Sequence, residues 1–389
     1  MTTRPGPEAR MRALAAELVR EGAIRSPEWE SVFASVPRHH FVPRWYEAVT
    51  DPRGITVWNE RDDTDREAWL STVYSDAALV TGLDLATAER VGDRAWTGVA
   101  TSSSTQPGLM AGMLEDLRVG DGHRVLEIGT GTGYNAALLS ARLGDRLVHS
   151  VDIAPELVEA ARRQLAALGF RPGLAHGDGR DGFPGDVLFD RIIATCSVPR
   201  LPDAWIGQLL PGGSILTGLD LGITGGLLRF TPEGDGTVRG RFTATTGQFM
   251  PARAGALSYE QAPRAAYAPD SGQRPSGVTA DAIRGAYPFR LLLAFALPRA
   301  ELVHHTDDDG TWSVQLQTSD GAWARVPLGG ESYVTEGGDG ALWREVEATW
   351  GWWNEQGRPG LDHFAVVREP DGRMHARCLS TQARWDLGR

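Results

Sequence analysis

VLEIGTGTGYNAALL, residues 125–139, reads as a short apolar strand, a glycine turn and a helix. Gly129, Gly131 and Gly133 give the pattern G-x-G-x-G, whereas the dinucleotide fingerprint usually reads G-x-G-x-x-G. Glycines at these places let backbone approach a ligand closely and hold it at a helix N-terminus. Outward from this stretch the alternation continues. LVHSVD (147–152), FDRIIAT (189–195) and GSILTGL (213–219) have the apolar character of strands, while PELVEAARRQLAAL (155–168) and DAWIGQLL (203–210) read as helices. Pro155 suits the first position of its helix. Strands alternating with helices of this length predict a parallel sheet covered on both faces, a doubly wound, Rossmann-like α/β fold.

Three acids are spaced around the glycine turn. Glu127 lies inside the strand, where a carboxylate is costly to bury unless it meets a positive or hydrogen-bonding partner. Asp152 ends the next strand, 25 residues later, where an acidic side chain accepts ribose hydroxyls. Asp178 lies in GDGR (177–180), before a further turn. Acids in place of arginines suit a nucleoside that carries no phosphate chain, and S-adenosylmethionine, with its ribose, adenine and cationic sulfonium, fits. The expected cofactor residues are Glu127, Gly129, Thr130, Gly131, Gly133, Asp152, Ile153, Asp178 and Gly179.

Composition narrows the chemistry further. The 389 residues include no lysine, so all 39 basic residues are arginine. No Schiff base can form on a side-chain amine, and no Walker A lysine can reach a nucleotide's phosphates. The net charge of −11 argues against a nucleic-acid partner, which would want a basic stripe. Cys196 and Cys378 are too few for a disulfide framework and lack metal-ligand spacing. No apolar run approaches the roughly 18 residues of a membrane span, so the expectation is a cytoplasmic protein without a membrane partner. The adjacent pairs His39-His40 and His304-His305 lack partner ligands, and Asp307-Asp308-Asp309-Gly310 lacks the glutamate of a calcium loop, so no metal is expected. No sequence feature specifies an oligomeric state.

The flanks divide the chain. Residues 8–21 carry Leu14, Leu18 and Val19 at helical spacing, with Gly22 as a stop. Residues 58–68 (WNERDDTDREA) are charge-rich and read as a solvated insertion, whereas 251–280, rich in Ala, Pro, Gly and Ser, reads as a linker or irregular crossover. Beyond it, GTWSVQLQ and GAWARV flank the turn Ser319-Asp320-Gly321 as a hairpin. Leu342, Trp343, Val346, Trp350 and Trp353 then form a helical stripe. The expected organisation is a helical segment at 1–75, a cofactor domain at 76–250 and a C-terminal α+β extension at 251–389.

Several ordered motifs resemble one family. VPRHHFVP (36–43) is similar to the V-P-R-x-x-F-V-P of the protein-L-isoaspartate O-methyltransferases, and VYSDAALV (73–80) to their Y-x-D-x-P-L. GDGRDGFP (177–184) resembles their G-D-G-x-x-G, and LPDAWIGQLLPGG (201–213) their I-P-x-x-L-x-x-Q-L-x-x-G-G. The resemblance runs from about residue 30 to residue 250 and implies a class I S-adenosylmethionine-dependent methyltransferase fold.

The family's acceptor loop reads G-Q-T-x-S-x-P-H-M, and TSSSTQPGLM (101–110) stands in its place. Thr105 replaces the serine, Gln106 a small residue and Gly108 the histidine, which suggests a changed acceptor. Thr105 and Ser104 are the expected catalytic positions, with Ser102, Ser103, Gln106 and Arg38 binding substrate. Arg180 is a second candidate clamp for a substrate carboxylate. A carboxylate acceptor is already ionised at neutral pH and needs placement and desolvation, so no general base is expected.

WREVEATWGWWNEQGRPGLDHFAV (343–366) resembles the ends of longer relatives found beside ribosomally made, modified peptides, the lanthipeptides and graspetides. That resemblance implies methylation of an aspartate in a modified precursor peptide. Attack by the next backbone nitrogen would then expel methanol and leave an aspartimide or, after hydrolysis, isoaspartate. Seven of the thirteen tryptophans follow residue 300, a candidate peptide-binding surface. General isoaspartyl repair and a non-catalytic peptide escort are the alternatives.

Overall fold

The structure, a computed structural model, describes residues 5–50, 56–84, 86–253, 270–298, 300–306, 310–329, 332–338 and 342–388. The chain forms two compact units. The first is built mainly from residues up to Ser197, with Pro202–Thr217 and the chain from Ala244; the second takes Val198–Leu201, Gly218–Thr243 and the C-terminal part. The cofactor domain expected at 76–250 thus gives Val198–Leu201 and Gly218–Thr243 to the second unit.

In the first unit the strands Gly173–His176, Val148–Asp152, Val125–Ile128 and Phe189–Val198 lie side by side in that order, all parallel. Strands buried on both faces carry continuous apolar runs, and Val125, Leu126, Ile128, Val148, Val151, Ile192 and Ile193 are all buried. Helices Tyr134–Leu143 and Pro155–Ala167 connect successive parallel strands. The α/β fold expected from the sequence is present.

The N-terminal segment departs from the all-helical expectation. Helices Pro7–Arg20, Pro27–Phe33 and Arg38–Phe41 are followed by the hairpin Arg44–Thr50 and Thr56–Asp62, then helix Arg66–Val73. The charge-rich run at 58–68 is thus a strand and the start of a helix. Most of it is exposed, as expected for solvated charge, and Arg94 pairs with Glu60 at 3.2 Å and with Asp62 at 2.6 Å. The hairpin belongs to a six-stranded sheet ordered Glu89–Gly92, Ala95–Thr97, Thr56–Asp62, Arg44–Thr50, Leu79–Leu83, Ala100–Ser104.

In the second unit, Trp312–Thr318 and Trp323–Pro327 form the expected hairpin within a five-stranded antiparallel sheet. Helix Leu342–Glu355 buries Leu342, Trp343, Val346 and Trp353. Phe289 stacks on Trp353 at 5.6 Å and meets Trp350 edge-on at 4.8 Å, so these tryptophans serve that unit's own core. Asp307–Asp309 and most of the 251–280 crossover lie outside the described residues. Among the described residues no helix is long and apolar enough to cross a membrane.

Candidate active site

The chain leaves the buried strand Val125–Ile128 through Gly129, Gly131 and Gly133, whose φ values are 94°, 52° and 86°. Residues with a Cβ rarely adopt that region. Two of these glycines are also required for space. A Cβ at Gly129 would stand 2.6 Å from Thr195 Oγ1, and one at Gly133 would stand 2.9 Å from Ala161 Cβ. Gly133 immediately precedes helix Tyr134–Leu143, so the loop occupies that helix's N-terminus, the end that favours electron-rich ligand groups.

Beneath the loop runs a chain of hydrogen bonds. Glu127, 1% exposed, accepts from Asn135 Nδ2 at 2.7 Å and from Ser150 Oγ at 2.6 Å. Ser150 Oγ also lies 2.6 Å from Thr130 Oγ1 within the glycine loop. Burial pushes the Glu127 pKa up to about 7, while the Ser150 and Asn135 bonds favour its ionised form. Asp152 Oδ2 accepts from the Gly131 amide at 2.8 Å, and Oδ1 from the Ala154 amide at 3.0 Å. Burial raises the Asp152 pKa against those two amides. Asp178 is gripped by Arg180, whose Nη2 donates to Oδ2 at 2.6 Å and whose Nε reaches both oxygens at 3.0 Å. Arg180 is thus tied to Asp178, which its bonds hold below the usual carboxylate range despite burial.

Facing the loop is the strand Ala100–Ser104 of the six-stranded sheet. A Cβ built on Gly131 would lie 3.8 Å from the Ser103 carbonyl and 3.9 Å from Ser102 Oγ, so acceptor strand and glycine loop are apposed across one cavity. The cavity holds about 960 Å³ of space, counting the part open to solvent. It is lined by Glu127, Gly129, Thr130, Gly131, Asp152, Ile153, Asp178 and Gly179 on the loop side, and by Thr101 to Thr105 on the other. Gly133 lies behind the cavity, packed on Ala161. Asp152 has one backbone amide on each oxygen, and an ionised carboxylate has lone pairs for about four donors. Buried at the cavity wall, it fits a ribose diol; the donor set as a whole fits S-adenosylmethionine.

Two expected substrate residues do not line the cavity. Arg38 is fully buried, and its guanidinium is spent on the backbone: Nη1 donates to the carbonyls of Val73 and Ser75, Nη2 to those of Ala77, Ser104 and Thr105, and Nε to Ser104 Oγ. Burial lowers its pKa to about 10, which leaves it charged at neutral pH. It anchors the acceptor segment from behind and does not clamp substrate. Gln106 likewise turns away, its Nε2 donating to Asp76 Oδ2 at 2.8 Å. Asp76 Oδ1 accepts the Gly108 amide at 2.6 Å in the first turn of helix Pro107–Asp116. A Cβ at Gly108 would lie 2.7 Å from Asp76 Oδ2, so a side chain at this position requires the carboxylate to shift.

Sequence reasoning missed the remaining wall. Met250, Pro251, Ala252 and Arg253 line the cavity, held by Ser197, whose amide donates to Met250 O at 3.0 Å and whose carbonyl accepts from Ala252 N at 2.8 Å. Thr195 and Cys196 line it as well. Burial, with Asp152 and Asp178 nearby, pushes the Cys196 thiol up to about 12, so it is no nucleophile at neutral pH.

Comparison with known proteins accords with this geometry. The family model for protein-L-isoaspartate(D-aspartate) O-methyltransferase matches residues 55–255. A protein-L-isoaspartate O-methyltransferase of Ignicoccus hospitalis is 30% identical over 208 residues, 53% of this chain and 80% of that protein. One from Methylorubrum extorquens is 33% identical over 229 residues, 58% of this chain and 81% of that protein. Against the Thermotoga maritima enzyme of the same name, 38% identical over 154 residues, the chain spans only 44% of the relative's length. A solved structure of a protein-L-isoaspartate O-methyltransferase aligns over 95% of this chain and 99% of its own, with a TM-score of 0.52 and 23% identity, a likeness of fold.

Proposed function

The chain belongs to the protein-L-isoaspartate O-methyltransferase family, and from that premise we propose that it transfers a methyl group from S-adenosylmethionine to a side-chain or isoaspartyl carboxylate in a polypeptide. The observation that carries this reading is the apposition of the acceptor strand and the glycine loop across one cavity. The bound cofactor would supply an electrophilic methyl on a sulfonium. The chain's own residues do the rest. Asp152 and the Gly131 amide would hold the ribose, with Asp178 and Gly179 completing the nucleoside end.

Ser102, Ser103 and Thr105 line the cavity, where their polar groups would hold the acceptor carboxylate in line with the methyl. Ser104, 2% exposed and bonded to Arg38, sets the strand's position more than it reaches a ligand. The acceptor arrives ionised, so no proton has to move. The buried Glu127 is committed to Ser150 and Asn135, and its part is to hold the loop. A cytoplasmic setting belongs to this reading, in which both cysteines are free thiols.

Repair of isoaspartyl residues is the form of the activity that the family relationship favours. The structure of the acceptor segment supports a second form, the tailoring of an aspartate in a modified precursor peptide. Its basis is Gly108, which stands where the family histidine is expected and leaves the acceptor segment without that side chain. In this reading the C-terminal extension is a structural or peptide-binding unit. Mass spectrometry separates the two. With S-adenosylmethionine present, a short isoaspartyl peptide gains one methylene under repair. Under tailoring that peptide stays unmodified, while an aspartyl precursor loses one water through the ester. No mass change on any peptide, together with no binding of S-adenosylhomocysteine in calorimetry, refutes both.

A further inference from the structure

The six-stranded sheet has one face that is buried at Trp45 and Leu79 and one that is partly open. On the buried face Trp45 and Leu79 are 7% and 5% exposed. On the other, a row of directly paired residues starts at the cavity. Ser103, in the cavity wall, pairs with Val80, and Val80 pairs with Tyr46 on the next strand. Directly opposite residues of antiparallel strands share a face, as do residues two apart along a strand. Ala48, two residues from Tyr46, pairs with Trp58, which in turn pairs with Trp96. Tyr46, Trp58, Trp96, Val80 and Ser103 therefore lie on one surface, all partly exposed.

The aromatic residues are held as a rigid ledge. Tyr46 meets Trp96 edge-on at 5.8 Å, and Trp58 Nε1 donates to the Gly98 carbonyl at 2.9 Å. Beside them, Arg94 pairs with Glu60 and Asp62, and Arg90, directly opposite Trp96, pairs with Asp93, so the ledge is rimmed by ion pairs. Rigid, partly exposed tryptophan and tyrosine next to a site are the residue types that dominate polypeptide recognition.

We infer that this face binds the polypeptide around the acceptor, with Tyr46, Trp58 and Trp96 taking an apolar or aromatic side chain of the substrate. The inference rests on the carboxyl-transfer reading above. Its occupant follows from continuity with the cavity, because the surface begins at Ser103, beside which the acceptor carboxylate is placed. The spacing follows too. Neighbouring strands lie about 4.8 Å apart, which puts Tyr46 about 10 Å and Trp96 about 19 Å from the Ser103 row; an extended chain advances about 3.3 Å per residue, so the matching side chain stands roughly three to six residues from the acceptor.

The test uses the full chain and two series of synthetic peptides carrying one acceptor. A short peptide ends one residue either side of it; long peptides carry tryptophan or alanine four or five positions away, on the N-terminal or the C-terminal side. The expected result is a KM at least roughly fivefold lower for tryptophan than for alanine on one side only, with kcat unchanged. Trp58→Ala and, separately, Trp96→Ala should abolish that advantage and leave the short peptide's kcat/KM as it was. Binding of the long peptides to the protein loaded with S-adenosylhomocysteine, followed by fluorescence anisotropy, gives the same comparison without turnover. Equal KM and equal binding for the tryptophan and alanine peptides, or an advantage that survives both substitutions, overturns the inference while short-peptide methylation leaves the carboxyl-transfer reading intact. Absence of methylation on every peptide instead sinks that reading, and unequal binding would still separate the ledge from it.

Discussion

The Asp76 carboxylate lies 2.6 Å from the Gly108 amide, capping helix Pro107–Asp116 from a segment 32 residues earlier in the chain. A negative charge is favoured at a helix N-terminus, and this one also fixes Gln106 through its second oxygen. The acceptor segment is thereby pinned at its C-terminal end by Asp76 and from behind by Arg38.

Loss of the cap should be measurable. Asp76→Ala is expected to lower unfolding free energy by about 1 kcal/mol, the usual cost of a lost N-terminal cap. Asp76→Asn, which keeps an acceptor oxygen, should lose less. Gly108→His should also destabilise, since its Cβ has to push the carboxylate aside. Urea denaturation of the three variants orders them; a fully stable Gly108→His protein would refute the steric account.

Arg38 should tolerate little. Arg38→Ala leaves five backbone carbonyls in buried surroundings without their donor, and an unsatisfied buried group costs about 1–3 kcal/mol. The expected loss is at least about 3 kcal/mol. Arg38→Lys, with three donors in place of five, should fall between wild type and alanine. Thermal melts rank them, and S-adenosylhomocysteine affinity of the folded fraction should change less than methyl transfer, because Arg38 supports the acceptor side.

For Asp152 the opposite split is expected. Asp152→Asn removes the charge and one acceptor lone-pair set at the ribose position, and a hydrogen bond to a charged group is worth about 1.5–3 kcal/mol. Calorimetry should show S-adenosylhomocysteine binding weakened by roughly 10- to 100-fold, with the far-ultraviolet spectrum unaltered. Undiminished affinity would place the nucleoside elsewhere.

Glu127 gives a pH signature. Its folded pKa, about 7, lies above the value of 4.5 for a free glutamate, because burial disfavours the charge. The native state therefore binds the proton more tightly than the unfolded chain. The associated stability is complete below about pH 4.5 and is lost as pH rises through about 7, a change of at most about 3 kcal/mol. Glu127→Gln should flatten that part of the stability profile between pH 5 and pH 8, measured by guanidinium unfolding. A slope equal to wild type would assign the titration to another group.

Much of the cofactor half was legible because its determinants are local. Gly129, Gly131 and Gly133 need their conformations for reasons contained in fifteen consecutive residues, and Asp152 ends a strand that announces itself by its apolar run. The parts that escaped depend on distant partners. Glu60 and Asp62 read as solvated charge until Arg94, more than thirty residues away, is placed beside them. Arg38 has the side chain of a carboxylate clamp, and only the convergence of carbonyls from 73–77 and 104–105 shows that its donors are already taken. Residues 250–253 carry no periodic pattern because a backbone rung, not side-chain packing, sets them in the cavity wall.

That rung at Ser197 has a consequence for how the protein comes into being. Ser197 joins Met250 and Ala252 across more than fifty residues, after the chain has passed through strands of the second unit. A ribosome that has delivered everything through Thr217 has already supplied the parallel strands, the glycine loop and the acceptor segment, yet the binding cavity still lacks a side. Long-range closure of this kind is paid in chain entropy and comes late. The cavity's last wall should therefore close on a nascent chain only after residue 253 has cleared the exit tunnel, later than the glycine loop and the acceptor strand that it faces.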